Sequence, residues 1–511
     1  MLISYPYKTL PFAHQKELLA ISSEREYFAY LMEQGTGKSK PIVDNAAMLY
    51  MAGKIDCLII VAPNGVHRKW LKDDIPKSLP DEIRYRWAVW QSTSISAEKA
   101  VEVLFAPGDV LRIITLNVEA FSGNAKKTST RVPKGVQIVR RLTAAFRCMF
   151  VIDESQTIKE SSSSRTENII DLGIRANYRR ILSGTASPEA PLNLFSQFKF
   201  LSPRILGTSF FAFKPEYAEL LPATSPLILK MMRDNPKLRM APQVVATDPV
   251  TGRPLYKNLD RLKERIQPHS YRKTKAECFD LPEKIYTKRY FEMERAQQKL
   301  YDSLRSSQKA FFENTLVTVV QKLTVLMRLS QLVRGYMVNE LGGLTRLYEP
   351  KDNPSIKALL EALEERGNSQ TIVWCRFQHE VRDVLSVLGG KAVDYYGPTS
   401  NEDRERNYYA FKAGEKQYFV GTVDAGGVGL DLNEIPGAIF YSNQFSAGKR
   451  QQAEDRNHRY GTKGEMTRHG HGVLYEDVVC PGSIDEYILK LLASKKEVSD
   501  YMMDLKVVYD V

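Results

Sequence analysis

Short apolar runs, each closed by glycine or polar turn residues and followed by helical periodicity, recur through the first part of the chain: Cys57 to Val61, Val110 to Ile114, Cys148 to Ile152 and Tyr178 to Leu182. Runs without polar alternation mark strands buried on both faces, the habit of parallel sheets. The rhythm returns at Thr371 to Cys375, Gln417 to Val420 and Ala438 to Tyr441, with the helix-like Asn401 to Ala413 among them. Two α/β lobes are therefore predicted.

From about Ser202 to Tyr348 the chain is charged and mainly helical in pattern, apart from a strand-like run at Lys284 to Phe291. Asn353-Pro354 reads as a cap and first helical residue, with Ile356, Leu359, Leu360 and Leu363 on one face of the helix that follows. Ser483 and Glu486 have capping-box spacing ahead of Ile484, Tyr487, Ile488, Leu491 and Leu492. The pattern divides the chain into a lobe over 1–205, a helical insertion and basic linker over 206–285, a helical insertion of the second lobe over 286–348, the second lobe over 349–482 and a terminal helix over 483–511.

Composition narrows the class without naming a chemistry. At 511 residues the chain exceeds one ordinary core, and 43% hydrophobic with 26% charged residues is the usage of a folded globular protein. The excess of 72 Lys+Arg over 60 Asp+Glu leaves +12, which favours polyanionic partners. Cys57, Cys148, Cys278, Cys375 and Cys480 form no Cys-x-x-Cys pair, and neither a long apolar span nor a signal-peptide pattern is present; a cytoplasmic protein is expected. His469-Gly470-His471 with Cys480 has too few ligands for a metal site and reads as a polar surface turn.

Four segments carry candidate chemistry. Gly35-Thr36-Gly37-Lys38-Ser39 lies between an apolar strand and a helix, where backbone N–H groups cradle phosphates, Lys38 reaches the β- and γ-phosphates and Ser39 reaches Mg²⁺. Met32 stands where the full phosphate-loop pattern has its first glycine. Asp153-Glu154-Ser155-Gln156 follows Met149 to Ile152, so two carboxylates sit at the carboxyl end of a buried strand, where ligands of open α/β sheets bind. Asp153 suits Mg²⁺, and Glu154 suits polarisation of water. Leu182 to Pro188 carries the hydroxyls of Ser183 and Thr185 about Gly184, and Gln452 to Arg459 puts Arg456 and Arg459 three apart, a spacing that shares a helical face. Taken singly, the last three segments are ordinary surface features.

Taken in order, with Gln15 ahead of them as an adenine-reading glutamine, they resemble the motif series of the Swi/Snf-type branch of superfamily-two helicases and translocases. Finer matches are Val61-Ala62-Pro63 leading to Trp70, Lys159, Leu192 to Pro203, Tyr271 to Lys275 followed by Leu281-Pro282 and Lys284, Gln298 to Tyr301, Tyr396-Gly397 with Thr399 and Arg404, and Thr422 to Leu432. Departures from the pattern are Gln156 for histidine, Ala186 for proline and Asp431 for asparagine. The resemblance implies two RecA-like, doubly wound parallel-sheet lobes with helical insertions between them.

It implies ATP and Mg²⁺ held by Gln15, Gly35, Thr36, Gly37, Lys38, Ser39, Asp153 and Gln452, with Glu154 activating water and Arg456 and Arg459 acting as arginine fingers. It further implies loops bearing Thr115, Ser183, Gly184, Thr185, Thr399 and Thr422 that grip a nucleic-acid backbone. The expected function is an ATP-driven motor on duplex or branched DNA, without strong sequence preference, whose output is branch migration or protein displacement. A strand-separating DNA or RNA helicase is the alternative, and a weakly hydrolysing nucleic-acid-binding scaffold a further one.

Overall fold

The computed structural model describes residues 5–493 apart from 65, 91–94, 124–131, 185–190, 236–237, 239, 249–253, 315–318, 339–342, 427–429, 463–464 and 468–469. The chain forms two compact units, Met1–Phe279 and Asp280–Val511.

The first unit is built on β1 (Tyr27–Met32), β2 (Cys57–Ala62), β3 (Tyr85–Val89), β4 (Leu111–Asn117), β5 (Cys148–Ile152), β6 (Tyr178–Ser183) and β7 (Ser270–Lys273). They lie in the order β3-β4-β2-β5-β6-β1-β7 and all run parallel. Every residue of β2, β4 and β5 is buried, which is why these strands announce themselves as continuous apolar runs. The edge strand β3 carries Trp87 exposed and Arg86 half-buried, and its mixed pattern gives no such signal.

A buried cation pins the amino-terminal side of this sheet. Arg180 on β6 is 0% exposed, and its guanidinium donates to the carbonyls of Ser22 at 3.0 Å, Arg25 at 2.8 Å, Glu26 at 3.3 Å and Arg179 at 2.8 Å, and to Asn45 Oδ1 at 3.2 Å. Asn45 in turn donates to the Ser23 carbonyl at 2.9 Å. Helix α1 (Ala13–Ser22), helix α2 (Ser39–Met51) and the sheet are thereby joined by donors that no hydrocarbon replaces.

The basic stretch matched to an inter-lobe linker is not all linker. Ser270–Lys273 is a sheet strand, in register with Ala29–Met32 of β1. The Lys273 carbonyl accepts from Glu33 N at 2.9 Å, and the Lys275 amide donates to Glu33 Oε2 at 2.8 Å. Thr274 and Glu277 form a capping box for the short turn that follows.

The second unit begins with β8 (Glu283–Tyr290), the strand-like run expected there, and continues through the small hairpin β9 (Tyr336–Val338) and β10 (Leu344–Arg346) to β11 (Thr371–Cys375), β12 (Ala392–Tyr395), β13 (Tyr418–Thr422), β14 (Gly437–Phe440), β15 (Glu465–Thr467) and β16 (Gly470–Val479). Its sheet has the order β12-β13-β11-β14-β16, with β8 parallel to β16 and β15 antiparallel to it. The His-Gly-His segment is thus not a free turn: Gly470 and His471 belong to β16, paired with Thr467 and Met466, while His469 lies outside the described residues.

Asn353 caps Pro354–Glu365 by accepting from Ser355 N at 3.0 Å. The last described helix, Ile484–Ala493, is tied in by Arg334 and Asp485 at 3.0 Å and by the Tyr301 hydroxyl, which accepts from Ile484 N at 2.9 Å. Among the described residues no helix is long and apolar enough to cross a membrane.

Candidate active site

The phosphate loop spans the gap from the end of β1 to the first residue of α2. Gly35 and Gly37 take φ of 84° and 79°, conformations that side-chain-bearing residues adopt at a cost. At Gly37 a Cβ would also lie 2.6 Å from Gln15 Nε2. That approach has a purpose: Gln15 Nε2 donates to the Gly37 carbonyl at 2.9 Å, while its Oε1 accepts from Phe12 N at 2.9 Å. His14 Nε2 lies 3.0 Å from the Thr36 carbonyl, and Thr36 Oγ1 donates to the Glu33 carbonyl at 2.7 Å. The loop is therefore held from α1 before any ligand arrives. Lys38 Nζ donates to the carbonyls of Met32 at 2.9 Å and Glu33 at 3.2 Å, so its ammonium already sits inside the loop.

The acidic pair stands at the end of β5. Asp153 is 8% exposed; Trp70 Nε1 donates to its Oδ2 at 2.9 Å, and Glu154 N donates to its Oδ1 at 2.9 Å. Burial first, then the neighbouring Glu154 charge, push the Asp153 carboxyl up to about 7, against the opposing pull of the Trp70 donor and Lys38. Burial likewise raises Asp74. Of the nearby charges, Glu154 and Asp74 oppose ionisation of Asp153 and Lys38 favours it. The described residues hold no cluster of three metal-ligating side chains, but the Asp153 carboxylate and the Ser39 hydroxyl are hard oxygen donors of the kind that suits Mg²⁺ bound together with phosphates.

Glu154 is held in the left-handed region at φ 51° and ψ 59°, one of two described non-glycine residues with positive φ. Its carboxylate takes Gln34 Nε2 at 3.2 Å on one oxygen and Gln156 Nε2 at 2.7 Å on the other. The Gln156 Oε1 accepts from Ser183 Oγ at 3.3 Å. A hydrogen-bonded chain therefore runs from the end of β6 to the carboxylate. Gly184 follows directly, and a Cβ there would lie 2.5 Å from Gln34 Cγ. Thr185 lies outside the described residues.

The structure places the other expected site residues as follows. Thr115 is 0% exposed and inside β4, which continues to Asn117; a β-branched residue extended the strand, and no backbone-gripping loop begins there. Thr422, buried, closes β13, and Thr399 Oγ1 donates to Asp394 in the turn after β12. Gln452 lies in the helix Ala447–Glu454, but that helix stops before Arg456 and Arg459. The expected shared helical face is absent because the Arg456 carbonyl instead accepts from Leu432 N at 2.9 Å, which draws the chain out of the helix. The Arg456 side chain, 3% exposed, donates to the carbonyls of Gln452 and Leu430. Arg459 donates to the Asp455 carbonyl at 2.7 Å and faces Asp431 at 3.6 Å.

Two site residues carried no role in the sequence reading, Gln34 and Asp74. Asp74 had a signal, since it stands four residues after Trp70 on a helical turn and so shares its face. Gln34 had none, because its partner Glu154 is remote in sequence.

Comparison with known proteins gives two family matches along the chain. The model of the SNF2-related domain matches residues 28–337, and that of the helicase conserved C-terminal domain matches residues 354–461. The TATA-binding protein-associated factor BTAF1 of Arabidopsis thaliana is 25% identical over 413 residues, covering 69% of this chain and 19% of that protein. The putative ATP-dependent helicase/translocase YwqA of Bacillus subtilis is 24% identical over 365 residues, covering 69% of this chain and 35% of that protein. The chain thus spans well under half the length of these curated relatives. Among solved structures, the Sulfolobus solfataricus SWI2/SNF2 ATPase core in complex with dsDNA aligns at 19% identity and TM-score 0.40, over 100% of this chain and 96% of that one. With one family model over most of its length and a helicase C-terminal model beyond it, the chain belongs to the SNF2-related family, a family of nucleic-acid-stimulated ATPases that includes ATP-dependent helicases and translocases.

Proposed function

We propose that this chain hydrolyses ATP to translocate along DNA, duplex or branched, with branch migration or protein displacement as its output. The observation that carries the reading is the wiring of the first unit: the Glu154 carboxylate, beside the phosphate loop, is hydrogen-bonded through Gln156 to Ser183 at the end of the next strand. Such a relay suits an ATPase whose rate answers to what lies at that strand end. The +12 charge agrees with a polyanionic track, and grip on a phosphate backbone predicts weak sequence preference.

In this reading the loop N–H groups and Lys38 hold the triphosphate, and Ser39 and Asp153 hold Mg²⁺, which neutralises phosphate charge when bound. Glu154 orients and accepts a proton from the attacking water. Arg456 and Arg459 stabilise the charge that builds on the transferred group, which requires that they leave their present carbonyl partners.

The test is ATP hydrolysis by the purified chain with no nucleic acid, single-stranded DNA, duplex DNA, branched DNA and RNA, beside Glu154→Gln. Stimulation by duplex or branched DNA that the variant abolishes supports the reading. Strongest stimulation by single strands or RNA favours a strand-separating helicase, and no hydrolysis with any of them overturns the motor.

A further inference from the structure

We propose that Gln34 is a positioning residue for Glu154, and that Gly184 lacks a side chain so that Gln34 can reach it. The proposal rests on the reading of Glu154 as the water-activating carboxylate.

An ionised carboxylate only accepts hydrogen bonds, so the two glutamines that face Glu154 must both present their NH2 ends. That leaves the Gln156 carbonyl oxygen turned to the Ser183 hydroxyl, as observed. With one amide on each oxygen, the carboxylate plane is fixed. The left-handed backbone at Glu154 sets where the side chain starts but leaves its side-chain torsions free, so the aim of the carboxylate comes from the two amides. Gln34 is 5% exposed, and it stands between Glu33 and Gly35 in the loop that answers to phosphate. Its Cγ would lie 2.5 Å from a Cβ at 184, and its Cδ 3.5 Å. Any side chain at 184 therefore displaces the amide from Glu154.

The end of β6 thus reaches the carboxylate by two routes: through Ser183 and Gln156 by hydrogen bonds, and through Gly184 and Gln34 by contact. The second route also passes through the phosphate loop, so Glu154 is aimed jointly by nucleotide and by whatever moves the strand end.

The experiment measures steady-state ATP hydrolysis with saturating duplex DNA for the wild-type chain, Glu154→Gln, Gln34→Met, Gln34→Ala, Gly184→Ala and the double variant Gln34→Ala/Gly184→Ala. Methionine matches glutamine in length and removes the amide while filling the same space, so thermal melting should hold. Expected is a loss in kcat of about ten- to a hundredfold for Gln34→Met with KM for ATP within about twofold, because misaim costs rate while Lys38 and the loop N–H groups still bind. Gly184→Ala should lose a similar factor alone and nothing further when Gln34 is already alanine. An unchanged kcat, a raised KM with kcat intact, or additive losses in the double variant overturns the proposal. These outcomes are distinct from failure of the underlying reading, in which the wild-type chain does not hydrolyse ATP or Glu154→Gln equals it; that result removes the proposal as well.

Discussion

The indole N–H of Trp70 donates to Oδ2 of Asp153 at 2.9 Å, between a fully buried ring and a nearly buried carboxylate eighty-three positions apart in sequence. Trp70 opens a single π-helical turn after β2, and that turn also brings Asp74 to Ser39. Outer partners of this kind orient a metal-binding carboxylate and keep its charged form accessible.

Trp70→Phe keeps an aromatic ring but removes the donor and the volume of the second ring. It should cost about 2–5 kcal/mol of stability, from an unmet carboxylate oxygen and from the space left by the smaller ring. The Mg²⁺ concentration for half-maximal ATP hydrolysis should rise by about tenfold or more. A Mg²⁺ titration at fixed ATP reads the second effect, and an unchanged midpoint would show that Trp70 only packs.

His67, 2% exposed, supplies a pH dependence with a definite sign. Burial pulls its imidazole down from 6.5 to about 4. Between these values the unfolded chain holds the extra proton, so stability is intact above pH 6.5 and is lost as pH falls toward 4, by roughly 3 kcal/mol in all. Urea midpoints of wild type and His67→Gln at pH 7.5 and pH 5 should differ in their pH response, with the variant losing less on acidification.

Arg456 and Arg459 should separate by readout. Arg456 is buried on two carbonyls of its own unit, so Arg456→Ala should lower both the melting temperature and hydrolysis. Arg459 is less enclosed, and Arg459→Ala should leave the melt within about 1 kcal/mol of wild type while hydrolysis falls by about a thousandfold. Equal melting losses for both would contradict the distinction.

The Arg334 and Asp485 pair, 1% and 8% exposed at their side chains, fastens the terminal helix. Asp485→Asn leaves a buried guanidinium without its counter-charge, and should cost about 3–5 kcal/mol in chemical denaturation. A loss under 1 kcal/mol would mean that the Val478 carbonyl and the rings of Phe291 and Tyr441 suffice to hold Arg334.

What the sequence made legible follows from physics local to each segment. The strands β2, β5 and β11 bury both faces, so their apolar runs point to them directly, and the phosphate loop is readable because its glycines and lysine are contiguous. The edge strand β3 and the basic strand β7 were hidden, since an exposed Trp87 and the polar run Arg272-Lys273 break the apolar pattern. Helical spacing suggested a shared face for Arg456 and Arg459, but the bond from Leu432 to the Arg456 carbonyl is a tertiary fact with no local trace. The Gln34 amide escaped for the same reason, because only the fold sets it against Glu154.

The Arg180 hub bears on how the first unit can respond to a ligand. Because Asn45 is bonded both to Arg180 and to the Ser23 carbonyl, α2 is bolted near its middle to the foot of the sheet. A helix so anchored resists sliding along its own axis. Adjustment at its first turn is left to the residues between Met32 and Ser39, where Gly35 and Gly37 give the backbone its range, so the loop and not the helix is the compliant part of this corner.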